Sequence, residues 1–518
     1  MKKLELNELR DKMLGCWTGK NIGGVLGAPF ELKRQINTND YYVQDLTQGP
    51  PANDDLDLQI VSLAAAERYG RRLTASVLGE YWLSYVIPNW AEYGMGKANL
   101  REGFEPPLSG YLGNAYRNSN GCWIRSEIWA CLAPGHPEIA VLYAHEDAAV
   151  DHAEEGLYAE IFTAALESAA FAEDDPEKLI EIALSYIPED CSVTKAVRTA
   201  QECFRQKVPF AESRRKIHNA APGTFGIQNL RIPEFPKKDN EGMETGAPGF
   251  DAPENIGFVV AAWLYGENDF GRSLVLANAY GEDTDCTCGT LGAVLGIILG
   301  ASGIPRKWSA PLNDKISTMC IDRTSGGVWI PDTATELTER ILRDIPLFLG
   351  QQYCDILDPS GLSVQCFSGE DLYCARTGDY LKDLNVQEPD DPSGRELCAM
   401  SPLAVRKDFP AFSIRVEAGD SVYFHAGETK KLRVTVRNHS AMREKQWVKI
   451  SLYLPADVST EGADSVELPL NTLAGSRAEA EFTLQTDLFA GSRLEGVVMA
   501  ELAGRHSYGC VRFLLLAH

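Results

Sequence analysis

Apolar residues recur every three or four positions along most of the first 350 residues. The spacing is clearest in residues 58–69, 148–172 and 176–186, and it is the period of a helix with one buried face. Gly, Pro, Asn and Asp stand between these segments, where loops are expected. The apolar, glycine-rich run at 290–304 predicts a buried helix packed closely against its neighbours. We therefore predict an all-α domain over residues 1–350.

The pattern changes after this region. Residues 351–404 contain short polar and proline-containing runs with little periodicity, and we interpret them as a connector. From residue 405 to 518, apolar and polar residues alternate in segments such as KKLRVTVRNHS and QWVKISLYLP. About seven such strands over roughly a hundred residues are typical of an immunoglobulin-like β-sandwich. This part gathers no acid, base or nucleophile, so we expect a structural or interaction module rather than a ligand-binding one.

Composition narrows the class of protein. A chain of 518 residues with 44% hydrophobic and 24% charged positions is globular and exceeds what one core supports. The 49 Lys plus Arg against 73 Asp plus Glu give a formal net charge of -24. Such a surface repels phosphate backbones, which disfavours nucleic acid as a partner.

Cysteine usage and the apolar runs bear on the compartment. The 13 cysteines show no C-x-x-C pair and no His/Cys zinc spacing, so neither a disulfide ladder nor a zinc site is indicated. The first residues are charged and do not read as a signal peptide. The run at 290–304 is too short for a confident membrane span. We expect a cytoplasmic protein without a membrane partner, and the oligomeric state stays open.

Two clusters of carboxylates stand directly before apolar helical runs: NDDLD at 53–57 and GEDTDCT at 281–287. A single Asp or Asn in such a place is often an N-cap that accepts hydrogen bonds from free backbone N–H groups. Several acids in each cluster exceed what capping needs, because neighbouring like charges repel unless a cation lies between them. Hard oxygen ligands favour Mg²⁺ or Mn²⁺, and two such clusters brought together could hold two ions that share a bridging carboxylate.

The order of motifs along the first 310 residues resembles the ADP-ribosylglycohydrolase family, including its dinitrogenase reductase-activating glycohydrolase type. MLGCWTGK at 13–20 and GGVLGAPFE at 23–31 are similar to the family's first helix and glycine-rich turn. The two clusters match its metal motifs, Thr-Asp-Asp and Asp-x-Asp-Thr. The run 270–308, which ends in Ile-Pro-x-x-Trp, is the most specific match. The resemblance implies a large all-α orthogonal helical bundle, to which this chain adds the β-sandwich.

The resemblance also implies a set of site residues. Glu31 and Asp55 would be catalytic, with Glu31 positioning or activating water or gating the site. Cys286 departs from the family's threonine, and its thiol is a poor ligand for a hard ion. Either Thr287 or a water fills that place, or the second of the two expected ions is weak or absent. Asp57 is a second choice as ligand. The implied metal ligands are Asn53, Asp54, Asp55, Asp283, Asp285, Cys286 and Thr287.

Between the two clusters, NGCWIRS at 120–126 resembles the family's substrate loop, and AHEDA at 144–148 its His-containing helix start. Trp123 and Cys122 replace small residues and would narrow the pocket, although an isolated Trp is more often part of a core. Arg125 and His145 could contact phosphate or sugar hydroxyls, or be a surface and a capping residue. The implied substrate-binding residues are Asn120, Gly121, Cys122, Trp123, Arg125 and His145.

These residues imply a metal-dependent glycohydrolase that cleaves the bond at the anomeric carbon of a ribosyl compound. ADP-ribosyl groups are the first candidate substrate, free or attached to protein. One alternative is a hydrolase of another nucleoside or sugar glycoside. A second alternative is a non-catalytic, crystallin-like or binding protein that retains the fold. The charged and glycine-rich segment 237–253 is expected to be a long loop next to the site.

Overall fold

The computed structural model describes residues 1–221, 243, 247–324, 326–358, 361–374, 392–439, 445–471 and 476–518. The chain divides into two compact units. The first comprises Met1–Cys374 and Ser393–Cys398, and the described residues of the second are 392, 399–439, 445–471 and 476–518. Each unit has its own apolar core. Along the described residues, we find no helix with the length and hydropathy needed to cross a membrane.

The first unit is helical, as the apolar period predicts. Its helices are α1 Leu6–Gly27, α2 Asp54–Tyr69, α3 Ala75–Tyr85, α4 Ala91–Arg101, α5 Leu108–Tyr111, α6 Glu127–Leu132, α7 Pro137–Ala148, α8 Glu154–Ala170, α9 Pro176–Ser185, α10 Ser192–Arg205, α11 Phe210–Ala220, α12 Ala252–Gly266, α13 Phe270–Tyr280, α14 Thr284–Leu299, α15 Arg306–Ser309, α16 Ala334–Leu342, α17 Ile345–Leu349 and α18 Gly394–Cys398.

Helices α1 and α14 lie antiparallel, and their backbones are in direct contact. Gly15, Gly19 and Gly23 recur every four residues on the face of α1 that meets α14. A Cβ atom added at any of them would overlap a backbone carbonyl of α14. The same holds at Gly27, which faces Thr284. The missing side chains therefore bring the end of α1 against the start of α14, whose first residues belong to the second carboxylate cluster.

The predicted buried helix at 290–304 is confirmed over most of its length. Helix α14 covers residues 284–299, and nearly all of its side chains are buried. The chain then turns at Gly300, where φ is 70°, and a short 3₁₀ turn follows at Ala301–Gly303. A positive φ is strained for residues with a Cβ, so glycine suits the end of this helix.

A small sheet belongs to the helical unit. It consists of β1 Lys2–Glu5, β2 Cys354–Asp355 and β3 Ser363–Cys366, with β3 in the middle and antiparallel to both neighbours. Residues 351–374, which the sequence assigns to a connector, thus pack into the first unit. Strands this short carry almost no period-two signal, and β1 pairs with β3 across more than 350 positions of the chain. The sequence pattern therefore does not predict this sheet.

The second unit consists of strands, and the predicted β domain is confirmed. The strands are β4 Ala404–Asp408, β5 Phe412–Glu417, β6 Tyr423–Phe424, β7 Thr429–Asn438, β8 Gln446–Tyr453, β9 Ser459–Thr460, β10 Ser465–Leu470, β11 Arg477–Gln485, β12 Arg493–Leu502 and β13 Tyr508–Ala517. One five-stranded sheet has the order β10-β8-β12-β13-β6 and the other β4-β5-β7-β11-β9. In β7, buried and more exposed residues alternate, as in a sheet with one buried face.

Candidate metal centre and active site

The two carboxylate clusters meet at the N-terminal ends of two helices. Asn53 is the N-cap of α2, and Asp283 is the N-cap of α14. Glu31 follows α1 after one 3₁₀ turn, so the close packing of α1 on α14 brings it to the same place. Free backbone N–H groups give helix N-termini a partial positive charge, which favours carboxylates there.

The clusters open into a cavity of about 350 Å³. Its lining combines eight residues of the predicted site, Asn120 and Gly121 among them, with aromatic side chains and a further acid. The lining residues are Glu31, Leu32, Asp54, Asp55, Trp90, Ala91, Glu92, Tyr93, Tyr116, Asn120, Gly121, Ile124, Phe250, Asp283, Asp285 and Cys286.

Two groups of three side chains bring their ligand atoms within 4.8 Å of one another. The first contains Asp55, Asp285 and Cys286, and the second contains Glu31, Asp283 and Asp285. Asp285 belongs to both. A carboxylate shared by two neighbouring groups of acids is the arrangement in which it can bridge two cations.

The acids of this centre disfavour one another's charge. Burial, together with Asp54 and Asp55, raises the pKa of Glu31 to about 7. Burial and the charge of Glu31 raise the pKa of Asp285 to about 7. The pKa of Asp283 lies well above its usual range through burial and the neighbouring Asp285. Removing water and adding like charges both disfavour ionised carboxylates, so a bound cation would relieve the repulsion.

Several buried carboxylate oxygens of the centre lack a hydrogen-bond donor. Asp283 Oδ1 and Asp285 Oδ1 accept no hydrogen bond from the residues that the structure describes, and Asp55 Oδ2 lies 3.4 Å from the ammonium group of Lys20. Buried polar atoms in proteins are nearly always satisfied. Oxygen donors of this kind suit Mg²⁺ and Mn²⁺. The residues present therefore fit the ions that the sequence predicts.

Lys20 supplies a fixed positive charge behind the centre. Its Nζ lies 2.9 Å from Glu127 Oε1 and 3.4 Å from Asp55 Oδ2, with all three side chains buried. It also donates a hydrogen bond to the carbonyl oxygen of Ile124, at 2.6 Å. Burial alone would lower the pKa of Lys20, but Glu127 and Asp55 outweigh it and raise that pKa above its ordinary value. Lys20 thus stays charged and offsets part of the negative charge of Asp55.

Two of the proposed ligands are already engaged within the protein. The amide of Asn53 accepts a hydrogen bond from Asp55 N at 2.8 Å and donates one to Asp285 Oδ2 at 3.2 Å. It therefore orients the carboxylate of Asp285 and caps the backbone N–H of Asp55 at the start of α2. Cys286 lines the cavity, but burial holds its pKa well above the usual range, and its thiol lies 3.7 Å from Asp55 Oδ1. A neutral thiol is a weak partner for a hard cation.

Thr287 and Asp57 lie away from the cavity lining. Thr287 is fully buried, and its hydroxyl donates to the carbonyl oxygen of Thr284 at 3.3 Å. Asp57 is buried on α2 and accepts hydrogen bonds from the backbone N–H groups of Met319 and Cys320. The helical period turns it away from Asp55, and its carboxylate fixes the loop at 319–320.

The residues of the predicted substrate loop divide into two sets. Asn120 and Gly121 line the cavity, and Asn120 Nδ2 donates to Asp283 Oδ2 at 2.7 Å. Cys122 and Trp123 are fully buried outside the lining. Trp123 Nε1 donates to Asn120 Oδ1 at 3.0 Å, so its contact with the site runs through Asn120.

Arg125 and His145 also lie outside the cavity lining. Arg125 is fully buried and pairs with Asp147 at 3.0 Å and with Asp151 at 2.7 Å. Its guanidinium lies over the ring of Trp82, 4.8 Å from the centroid. His145 is buried near the end of α7. In the structure, Arg125 is part of the core behind the substrate loop rather than of the cavity.

The comparison with protein families agrees with this geometry. The sequence profile described as ADP-ribosylglycohydrolase matches residues 5–345, which include both carboxylate clusters and every cavity-lining residue. The chain belongs to the ADP-ribosylglycohydrolase family. The family is one of glycohydrolases, and the match ends within the helical unit.

Other comparisons add little to the family assignment. No curated protein matches the chain. Among solved structures, it is similar to the Pseudomonas fluorescens alkylpurine DNA glycosylase AlkC bound to DNA containing an abasic site analog. That likeness has 13% identity and a TM-score of 0.12, and covers 76% of this chain and 97% of the other. A likeness this low carries no argument about fold or function.

Some of the residues that line the cavity lie outside the ADP-ribosylglycohydrolase motifs. Tyr93 donates a hydrogen bond to Asp54 Oδ2 at 2.8 Å, and Glu92 beside it lines the cavity. Both lie on α4, in a stretch with no motif of its own. Sequence reasoning missed them because one acid and one aromatic residue in a helix are ordinary. Lys20 lies within a matched motif, but its contacts with Asp55 and Glu127 join distant parts of the chain.

The predicted loop at 237–253 lies mostly outside the described residues. Its described part reaches the site, because Phe250 lines the cavity. The backbone N–H of Gly249 donates to Glu282 Oε2 at 2.7 Å, and Arg34 Nε donates to Glu282 Oε1 at 2.8 Å. Glu282 adopts a φ of 66°, which is unusual for a residue with a side chain. These bonds hold the backbone turn that places Asp283.

Proposed function

We propose that this chain is a metal-dependent glycohydrolase that uses Mg²⁺ or Mn²⁺ to cleave the bond at the anomeric carbon of a ribosyl compound. ADP-ribosyl groups, free or attached to protein, are the first candidate substrate. One observation carries the proposal: two groups of ligand atoms share Asp285 at the cavity. A sugar hydroxyl and water could approach such a centre from the cavity side.

The carboxylates of the centre would hold the ions. Asp55, Asp283 and Asp285 are buried and would form its fixed base, with Asp54 at the cavity edge, held by Tyr93. When bound, the ions would neutralise these carboxylates and orient the oxygens of sugar and water. Asn53 and Asn120 position Asp285 and Asp283 through their side-chain amides. Cys286 adds an uncharged wall rather than a strong ligand.

Glu31 is placed to act on water. Its side chain as a whole is more exposed than those of Asp283 and Asp285, although its carboxylate is partly desolvated. Its carboxylate can therefore reach both the centre and the open part of the cavity. In hydrolysis at an anomeric carbon, a carboxylate that orients water and accepts its proton favours attack as positive charge develops on the sugar.

A glycoside smaller than ADP-ribose is the second candidate substrate. The cavity of about 350 Å³ lies near the lower end of the roughly 300–1,000 Å³ typical of ligand sites. Cys122 and Trp123, from which the sequence suggests a narrowed pocket, lie outside the lining, so the cavity volume rather than these residues supports this candidate. A substrate screen with ADP-ribosyl, nucleoside and simple ribosyl compounds separates the two.

The decisive experiment is calorimetric titration of Mg²⁺ and Mn²⁺ into metal-stripped protein, with and without ADP-ribose. We expect about two ions per chain, bound more tightly when ADP-ribose is present. Asp285→Asn should lose both ions, because Asp285 belongs to both groups of ligands. Asp190→Asn, at an exposed position, is the matched control and should bind metal as the unaltered chain does.

The outcomes separate the candidate functions. One ion without coupling to ADP-ribose would favour a different glycoside. No binding at millimolar Mg²⁺ or Mn²⁺ would argue for a non-catalytic member of the family. Normal metal binding by folded Asp285→Asn would contradict the bridging role of this carboxylate.

A further inference from the structure

Glu92 is a second kind of acid in the cavity. It lies in the first turn of α4 and lines the cavity, yet it belongs to neither group of metal-ligand atoms. Only 7% of its surface is exposed. Its Oε2 accepts no hydrogen bond from the described part of the chain. A buried carboxyl that lines the cavity but lies outside both ligand groups needs a different explanation from Asp285.

The surroundings of Glu92 hold it in place. Its Oε1 packs onto Gly121, where an added Cβ would overlap it, so the glycine of the substrate loop makes room for this carboxyl. His152 Nε2 lies 3.1 Å from Ser119 Oγ, and His152 Nδ1 lies 2.8 Å from Asp151 Oδ1. Asp151 in turn pairs with Arg125. Arg125, which the sequence assigns to substrate, thus supports this network from behind.

The charges around Glu92 leave it able to carry a proton. Burial raises the pKa of Glu92, and Asp151 raises it further, while His152 and Ser119 act in the opposite direction. Tyr93, the neighbouring titratable group, also has a raised pKa through burial and the charges of Asp54 and Glu92. No cation of the described residues pairs directly with Glu92 within ion-pair distance. A carboxyl in these surroundings holds its proton to higher pH than an exposed glutamate does.

We propose that Glu92 is the general acid of this glycohydrolase and protonates the leaving group. This inference rests on the function proposed above. As the bond to the anomeric carbon breaks, its electron pair stays on the leaving oxygen or nitrogen, and the carboxyl of Glu92 transfers its proton there. The attacking water bonds to the anomeric carbon and gives its proton to Glu31. One water is consumed; Glu31 then releases its proton to solvent and Glu92 takes one up from solvent, so both carboxyl groups return to their starting states.

Ser119 and His152 are positioning residues in this scheme. The hydroxyl of Ser119 donates to the carbonyl oxygen of Tyr116 at 2.6 Å, and Tyr116 lines the cavity. Ser119 and His152 both favour the charged form of Glu92, and the Ser119 hydroxyl joins this group to the cavity wall at Tyr116. Glycosidases separate acid and base between two carboxyl groups in a comparable way. Here Glu31 lies in the metal centre and Glu92 lies outside it.

The test compares two substrates that differ in their need for an acid. One is ADP-ribose joined through its anomeric carbon to an aliphatic alcohol, and the other is ADP-ribose joined to 4-nitrophenol, whose anion leaves without a proton. Glu92→Gln should lower kcat by about 100-fold or more on the first substrate and by no more than about threefold on the second. The decrease of kcat at high pH, which reports loss of the proton from Glu92, should vanish in this variant. Glu80→Gln, at an exposed position on α3, is the matched control.

Each outcome of this comparison supports or contradicts the role of Glu92 as general acid. An equal loss on both substrates, or no loss on either, would overturn the role of Glu92. Metal titration of Glu92→Gln should still show the stoichiometry of the unaltered chain, because Glu92 lies outside both ligand groups. If this variant does not fold, Glu92→Asp replaces it and should show a smaller but equally selective loss. If the unaltered protein cleaves neither substrate, the ADP-ribosyl candidate of the proposed function fails, and this inference, which is argued for that reaction, falls with it.

Discussion

At the scale of single residues, the acids of one cluster have different tasks because their side chains face different neighbours. Asp54 and Asp55 line the cavity. Asp57, two positions further along α2, binds the backbone of the loop at 319–320. Successive helical residues point about 100° apart, so neighbours in sequence are separated in space. A cluster of acids in a sequence therefore marks a candidate site without showing which members belong to it.

Asp57→Ala should destabilise the helical unit and leave metal binding intact. The change removes the acceptor for two backbone N–H groups, and buried donors left without a partner cost about 1–3 kcal/mol each. We expect the free energy of unfolding to fall by about 3 kcal/mol, measured by urea titration with helix content as the signal. Asp190→Ala is the control. Loss of metal with unchanged stability would instead place Asp57 among the ligands.

The residues that could be predicted from sequence are those that lie inside compact motifs. Glu31, Asp54, Asp55, Asp283 and Asp285 all line one cavity. Their roles as ligands or base remain predictions. The predicted substrate loop is harder to assign, because among residues 122–125 only Ile124 lines the cavity and the other three are buried outside it. Only the three-dimensional structure shows that Trp123 and Arg125 face inward.

At the scale of elements, the site depends on how closely two helices approach. Glycines of α1 face glycines of α14, and each carbonyl lies where a side chain would stand. The end of α1 leads to Glu31, and the start of α14 carries Asp283 and Asp285. The glycine-rich run at 290–304 predicts close packing of this helix, but neither it nor the apolar periodicity identifies α1 as the partner. The structure shows that pairing.

Gly19→Ala should weaken both stability and metal binding. The added Cβ would overlap the carbonyl oxygen of Gly292, and overpacking of this kind typically costs about 1–3 kcal/mol. Because the helices must move apart, the two ligand groups should also separate. Thermal unfolding and calorimetric titration of Mg²⁺ measure the two effects.

Gly79→Ala is the matched control for this change. Gly79 lies within α3, and its added Cβ would lie 3.0 Å from a flexible side-chain atom of Leu100. Alanine also favours a helix by about 1 kcal/mol over glycine. Equal stability and equal metal affinity in the two alanine variants would show that the approach of α1 to α14 does not set the site.

At the scale of the whole molecule, the chain divides at a place that its composition does not mark. The change from helical to strand periodicity predicts a boundary near residue 350 and a connector over residues 351–404. In the structure, β3 pairs with β1 at the start of the chain. His136 Nε2 lies 2.8 Å from the carbonyl oxygen of Gln365, and its ring packs on Tyr353 and Phe367. The two units are predictable from periodicity, whereas their border depends on these long-range contacts.

Truncation should therefore give opposite results on the two sides of that border. A chain that ends at Cys398 keeps the helical unit, including the sheet, and we expect it to bind metal with unchanged stoichiometry. A chain that ends at Gly350 loses β2 and β3, which leaves β1 without its partner and exposes the apolar side chains around His136. We expect this shorter chain to be less stable or insoluble. Circular dichroism, with calorimetric titration of Mg²⁺, compares both with the full chain. Loss of metal binding in a folded chain ending at Cys398 would show that the β unit contributes to the site, since every ligand proposed here lies before residue 290.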